Sequence, residues 1–240
     1  MPVTAVVPCA GYGTRMGELT ESRPKELLPF GRRLVLDLVM EELLDGGCRN
    51  FFIIIRKGKE SIRDHLLNAY GPKGYPRLDF EFVYQPEPLG LGDAYLQLKG
   101  LIREPFFAAL PDHLVRGGVL TAMRQTYRRL TEEGRRPLML KSEVVLSREE
   151  GRFSTGKAPG DDLGIRNTGR TIYPPEFLDG FDRSECRPTG CELTEVDMER
   201  PYMERHGDAV RCIRTESDVW DIGTLDGYRY YLDKLGRAEC

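Results

Sequence analysis

Two glycines, an arginine and a lysine follow a short apolar run near the amino terminus, where the chain reads VVPCAGYGTRMGELTESRPKELLPF over residues 6–30. Such residue types handle anions. Gly11 and Gly13 let the backbone turn tightly and aim N–H groups at a negative ligand. Arg15 adds a planar, permanently charged fork suited to phosphate, and Lys25, fixed between Pro24 and Glu26, a second positive charge. A bare Gly-x-Gly after a strand fits several phosphate folds. A dinucleotide fingerprint wants a third glycine where Met16 stands, and a Walker loop wants Gly-Lys-Ser/Thr, which the chain lacks. Gln85 follows an alternating stretch, and its carboxamide offers a donor and an acceptor for the edge of a pyrimidine. Asp112 follows FFAALP and Asp221 lies in VWDIGT, each at an expected strand end. Magnesium commonly takes only one or two protein carboxylates and completes its shell with phosphate oxygens and water.

The elements that would position these groups alternate along the first two thirds of the chain. TAVVPC, FFIII (51–55), DFEFVY (79–84), FFAAL (106–110) and PLMLKSEVVL (137–146) read as strands. RLVLDLVMEELLDGG, KESIRDHLLNAY with Ile62, Leu66 and Leu67 on one side, LGDAYLQLKGLI and GGVLTAMRQTYRRLTEE read as helices. This alternation implies a mostly parallel sheet covered on both faces, with ligands at the carboxyl ends of the strands. From residue 147 the pattern loosens into SREEGRFSTGKAPGDDLG, an excursion rich in Gly, Pro and charge. Order returns with GRTIYPPEFLDGF and a helix near LTEVDMERPYMERHG; a strand pair, AVRCIR and DVWDIG, and a closing helix from Leu225 follow.

The 240 residues suffice for one full core, and a formal net charge of −3 gives no global attraction for nucleic acid or anionic membrane. The basic runs at 128–130 and 135–136 read as solvated faces. TAVVPCAG is too short and too broken for an export signal, and no stretch reaches the ~20 apolar residues of a membrane span. Six scattered cysteines without zinc spacing read as free thiols in a reducing cytoplasm. The expected location is therefore cytoplasmic.

The stretch AGYGTRMGELTESRPKELLPF resembles the signature of the sugar-phosphate nucleotidylyltransferases, especially the bacterial UTP–glucose-1-phosphate uridylyltransferases. The similarity continues in order through QPEPLGLGDA (85–94), LPDHLV (110–115), GRTIYPPEF (169–177) and WDIGTLDGY (220–228). The resemblance implies one nucleotidyltransferase domain over 1–240. Its fold would be a Rossmann-like, three-layer α/β sheet of the glycosyltransferase-A-like type, with a shortened acceptor-side segment at 147–168. It implies nucleotide binding by Ala10, Gly11, Gly13, Thr14, Arg15, Gln85, Gly90 and Asp112. Arg15 and Lys25 would be catalytic, and Asp112 and Asp221 would bind Mg2+. The implied reaction joins a nucleoside triphosphate, UTP or dTTP favoured, to a sugar 1-phosphate and releases pyrophosphate. A dianionic phosphate nucleophile needs no general base, which agrees with the lack of a Ser-His-Asp or Cys-His candidate. His65, His113 and His206 read as structural or exposed, with contact between His113 and the site left open.

The acceptor half departs from the family. Its usual Glu-Lys-Pro segment does not occur, and Lys157 in TGKAPG is the only lysine in that gap. Lys157 is thus the candidate ligand for the acceptor phosphate, and Glu192 in TGCELTEV the candidate for its hydroxyls. Two rival readings stay open: a cytidylyltransferase for a phosphonate or another small phosphorylated acceptor, and a catalytically silent nucleotide-binding regulator. Trp220 and the tyrosines of GYRYYL pack either a subunit contact, making a homo-oligomer, or the final helix.

Overall fold

Strand β1 (Thr4–Pro8) shows why the apolar runs pair into one sheet. Ala5 and Val7 enter one hydrophobic core while Val6 enters another on the opposite face, the period of two expected of a strand buried on both sides. β4 (Asn50–Ile55) and β6 (Phe106–Ala109) divide their residues in the same way. The structure, a computed structural model, describes residues 3–135, 138–145, 165–179, 181 and 192–238.

The remaining strands are β2 (Pro29–Phe30), β3 (Arg33–Leu34), β5 (Asp79–Tyr84), β7 (His113–Val115), β8 (Met139–Val145), β9 (Ile165–Tyr173), β10 (Val210–Thr215) and β11 (Val219–Asp221). Among the described residues, seven strands form the main sheet in the order β10-β8-β9-β6-β1-β4-β5. β1 runs parallel to β4 and β6, β4 to β5, and β8 to β10; β9 alone runs against its neighbours β6 and β8. Parallel neighbours bring the carboxyl ends of β1, β4, β5 and β6 to one edge. Because β9 is reversed, its amino end arrives at that same edge.

Helices α1 (Val35–Asp45), α2 (Glu60–Tyr70), α4 (Val119–Glu132) and α7 (Leu225–Ala238) cover one face. Helices α3 (Leu91–Leu96), α5 (Glu176–Asp179) and α6 (Glu195–His206) cover the other. In α1 the residues Val35, Leu36, Val39, Met40 and Leu43 form the buried stripe that helical spacing predicts. The result is the three-layer α/β architecture expected from the alternation.

Several expected details differ. Leu67 is 44% exposed, and Tyr70 takes its place beside Ile62 and Leu66, because i, i+4 and i+8 share a helical face. Helix α3 stops at Leu96, with turns continuing past Gly100, whose φ of 79° lies outside helical space. AVRCIR and DVWDIG do not pair with each other: β10 extends the main sheet beside β8, whereas β11 pairs antiparallel with β7, a strand the sequence did not announce. Trp220 stacks on Tyr231 at 5.5 Å, and Phe30 packs on Trp220 and Tyr228 at 6.0 and 5.9 Å, so these aromatics seat the final helix. Arg128, Arg129 and Arg135 are exposed, as expected. Cys9 and Cys48 are free and buried and Cys212 free and exposed. Among the described residues no helix is long and apolar enough to cross a membrane.

Candidate active site

The loop after β1 is held from within and open outward. Gly13 takes φ 73°, a left-handed turn that favours glycine, and its carbonyl accepts from Met16 N (2.9 Å) and the Thr20 hydroxyl (3.2 Å). Met16, 1% exposed, plugs the loop into the core at the position a dinucleotide fold would give to glycine. Gly11 needs neither a positive φ nor a close approach, since an added Cβ would meet nothing within 4 Å. Its tight-turn role therefore falls to Gly13, and Gly11 leaves bare backbone facing open space. Ala10 is buried, whereas Gly11, Thr14 and Arg15 are exposed, the Arg15 side chain by 63%.

Pro-Lys-Glu splits into two tasks. Glu26 is buried and receives Lys59 Nζ at 3.1 and 2.9 Å, and the same ammonium donates to the Cys9 carbonyl at 2.7 Å. That buried pair ties the end of β1 and the start of α2 to the turn carrying Lys25. Lys25 points the other way, and its Nζ lies 2.5 Å from Asp112 Oδ2.

Asp112 and Asp221 converge. A Cβ placed on Gly223 would stand 2.7 Å from Asp112 Oδ2 and 3.2 Å from Asp221 Oδ1, so glycine is needed where the two carboxylates meet. The Ile222 N–H donates to the Asp112 carbonyl at 2.9 Å, and the Gly223 N–H to Asp221 Oδ1 at 3.0 Å. His113 stands between the acids, with Nδ1 3.2 Å from Asp112 and Nε2 3.9 Å from Asp221. Arg15 reaches Asp112 Oδ2 at 4.0 Å.

These neighbours divide the two acids electrostatically. Burial pushes the Asp112 carboxyl up, but Lys25 and the His113 hydrogen bond overcome it and hold it well below the usual range. Asp221 is raised by burial, with His113 opposing and the Asp112 charge adding to the rise. Burial lowers His113, yet the hydrogen bond and charge of Asp112, with Asp221 behind, leave it raised. Two carboxylates meeting at a bare glycine suit magnesium, which needs few protein ligands. Among the described residues, no three His, Cys, Asp or Glu side chains form a fuller metal cage.

Arg170, fully buried, was not singled out in the sequence. Its Nε and Nη2 donate to Glu42 of α1 at 2.9 and 2.6 Å, a bidentate pair. Its Nη1 donates to the Leu110 carbonyl at 3.0 Å and its Nη2 to the His113 carbonyl at 2.8 Å. The guanidinium therefore grips the chain on both sides of Asp112. Its signal was present in GRTIYPPEF: a permanent cation in an otherwise buried strand must be paired.

Gln85 is buried at the end of β5. Its Nε2 donates to the Gly90 carbonyl (3.1 Å) and to Asp93 Oδ2 (2.8 Å). At Gly90, φ is 107° and a Cβ would overlap the Leu193 carbonyl oxygen; at Gly92 it would stand 2.6 Å from the Thr194 carbonyl oxygen. The close approach these glycines permit is thus made by the backbone of 193–194, which also bonds Leu89 O and Gly92 N at 2.7 and 2.8 Å.

On the acceptor side, Lys157 lies outside the described residues. Glu192 is exposed. Glu195, three residues on, is the carboxylate that lines a cleft of about 280 Å³ together with Arg15, Tyr95, His113, Arg166 and Asp221. A larger cavity of about 580 Å³, lined by Arg32, Glu41, Leu114, Arg116 and Trp220, contains none of Arg15, Lys25, Asp112 or Asp221. The smaller cleft is lined by Arg15 and Asp221, and through them it adjoins Lys25 and Asp112.

Fold and cleft together define an α/β protein with a charged cleft at the carboxyl ends of parallel strands, where such sheets commonly bind ligands. Its family follows from the sequence: the chain belongs to the nucleotidyl transferases, matching that family over residues 4–144. A UTP–glucose-1-phosphate uridylyltransferase of Streptococcus pyogenes is 34% identical over 128 residues, covering 46% of this chain and 42% of that protein. The match thus spans less than half the length of such curated relatives. A crystal structure of UDP-glucose pyrophosphorylase complexed with UDP-glucose superposes with a TM-score of 0.81 at 21% identity, covering 99% of this chain and 100% of the other. A UTP-bound UGPase from Acinetobacter baumannii gives 0.74 at 21% identity, covering 98% and 94%. These two likenesses establish the fold.

Proposed function

We propose that the chain transfers a nucleotidyl group from UTP or dTTP to a sugar 1-phosphate, releasing pyrophosphate and forming a nucleotide sugar. The observation that carries this reading is the convergence of Arg15, Lys25, Asp112 and Asp221 at one sheet edge. An acceptor phosphate oxygen attacks the α-phosphorus, the bond to the β-phosphate oxygen breaks, and pyrophosphate leaves. No side chain has to remove a proton, since the phosphate is already largely dianionic near neutral pH. The protein's task is alignment and charge stabilisation.

In this reading the open backbone of Ala10, Gly11, Gly13 and Thr14 receives the nucleotide. Arg15 neutralises the departing pyrophosphate, and Lys25 turns from Asp112 toward the reacting phosphates. Asp112 and Asp221 are the residues that would hold Mg2+, which when bound offsets charge on the phosphate oxygens. Gln85 supports the choice of base. Its Nε2 is spent on Gly90 and Asp93, which leaves Oε1 as the atom with which it would accept from a base. Uracil and thymine offer a donor at N3, whereas cytosine offers an acceptor. The backbone of Gly90 would lie against the same edge.

Incubation with each nucleoside triphosphate, Mg2+ and a panel of phosphorylated acceptors, with pyrophosphate as readout, tests the reading. Release with UTP or dTTP and glucose 1-phosphate is expected. Release only with CTP and a non-sugar phosphate or phosphonate replaces it with a cytidylyltransferase, and nucleotide binding without release from any acceptor replaces it with a silent regulator. The site needs no membrane or nucleic acid partner, and a cytoplasmic location fits its soluble substrates.

A further inference from the structure

The chain lacks the lysine segment with which its relatives are expected to hold the acceptor phosphate, yet the cleft beside Asp221 is not short of a cation. Arg166 lines it from the amino end of β9. The sheet explains how it gets there. Ala109, the last residue of β6, pairs with Arg170, so the antiparallel β9 carries Arg166 four residues past the end of β6, onto the ligand edge. β8 supports the extension through the pairing of Val144 with Arg166.

The guanidinium makes few contacts with the described residues. Among them its Nε is buried with no hydrogen-bond partner, and its Nη1 makes a 3.5 Å contact to the carbonyl of its neighbour Ile165. Among the described residues no carboxylate lies within ion-pair distance of it. A buried donor on a permanent cation left without an acceptor is costly, and an anion in the cleft beside it would offset that cost. Arg170, four residues away on the same strand, shows the contrast: every one of its nitrogens is engaged.

The remaining lining defines the rest of the ligand. Glu195, Thr171, Tyr95 and Tyr173 also line the cleft, a carboxylate and a hydroxyl beside two largely buried aromatic side chains. Hydroxyl groups on a compact ring meet such a set.

We infer, building on the nucleotidyl-transfer reading, that Arg166 is the acceptor-phosphate ligand of this chain and Glu195 the ligand of the acceptor's hydroxyls. They take the roles that the sequence assigned to Lys157 and Glu192. The acceptor is then a small, singly phosphorylated polyhydroxyl ring whose phosphate lies between Arg166 and Asp221.

The test uses the full-length protein, UTP, Mg2+ and glucose 1-phosphate, with calorimetric titration of glucose 1-phosphate as a second readout that does not depend on turnover. Arg166→Ala should raise the KM and Kd for glucose 1-phosphate about 10- to 100-fold, the loss expected for a charge-assisted hydrogen bond. The KM for UTP should stay within about twofold, with Arg166→Lys recovering part of the loss. Glu195→Gln should weaken glucose 1-phosphate but leave binding of inorganic phosphate, which has no sugar hydroxyls, unchanged. An unaltered acceptor KM and Kd in Arg166→Ala, or a larger rise in Lys157→Ala, overturns the inference and leaves the nucleotidyl-transfer reading standing. Absence of pyrophosphate from the unaltered protein with every acceptor, alongside normal binding of glucose 1-phosphate through Arg166, overturns the reaction instead.

Discussion

The two halves of the cleft are built on opposite plans. On the nucleotide side each charge already has a partner: Lys25 rests on Asp112, His113 bridges both acids, and Glu26 and Lys59 lock the loop's base. On the acceptor side Arg166 has a buried nitrogen without a partner among the described residues, and burial leaves the Glu195 carboxyl raised, with Glu199 adding to the rise. One half is a pre-assembled electrostatic network whose internal pairs a ligand exchanges for its own. The other holds a guanidinium nitrogen left without a partner among the described residues and a carboxylate raised by burial. In the proposed reaction preorganised charge would serve the reacting phosphates, where reorganisation would slow the step, whereas the acceptor subsite would serve selection.

The largest effects should therefore follow from cutting the nucleotide-side network. Asp112→Asn or Asp221→Asn should lower kcat by about 10³-fold, the scale of losing a group that acts on the transition state. Circular dichroism should show an intact fold. Unimpaired turnover in either variant would remove the metal assignment and with it the contrast between the halves.

Arg170 comes next, since it holds Asp112 in place from β9. Arg170→Ala strands Glu42 in the core and should cost about 3–5 kcal/mol in a urea titration. The double variant Arg170→Met/Glu42→Leu removes the stranded charge and should regain much of that stability. Its kcat should stay low, because the Leu110 and His113 carbonyls flanking Asp112 remain ungripped. Recovery of both together would make Arg170 a packing residue only.

A smaller change is expected at the base. Gln85→Glu, whose carboxylate faces Asp93, should reduce kcat/KM for UTP by about tenfold or more, the effect of ~1.4 kcal/mol. The margin over CTP should shrink with it. An unchanged ratio of UTP to CTP would place base selection elsewhere than Gln85.

How far the site was legible follows the same division. The convergence of Arg15, Lys25, Asp112 and Asp221 was readable because these residues sit in long motifs directly after apolar runs, and parallel strands bring such ends together. The groups proposed for the acceptor were not, because they come from the start of a reversed strand and the first turn of α6. Nothing local in IRNTGRT announces a strand running against its neighbours, so Arg166 and Arg170 read as two ordinary basic residues. Glu192 and Glu195 have the same chemistry. The capping box of Thr194 and Asp197 is what starts the helix and carries Glu195 into the cleft, while Glu192 stays exposed outside it. Gly90 and Gly92 were legible as glycines that must admit something close, but only the fold reveals that it is Leu193 and Thr194.

The smallest effect separates the acids by pH in the metal-free protein. The folded carboxyl of Asp112 is depressed, so its contribution to stability is fully present above the unfolded value of ~3.9 and is lost as pH falls through the folded value. Asp221 and Glu195 are raised by burial, so their sign is opposite. Each destabilises the fold above its raised value, and that cost is relieved as pH falls toward the ordinary carboxylate range. Stability should therefore climb slightly on mild acidification and drop only in stronger acid. Asp221→Asn and Glu195→Gln should each flatten the climb, and Asp112→Asn should flatten the drop. Denaturant titrations across the acid range would measure all three. If Asp112→Asn flattened the climb instead, the depressed acid would be misassigned, and the nucleotide half would lose the charge pair that distinguishes it from the acceptor half.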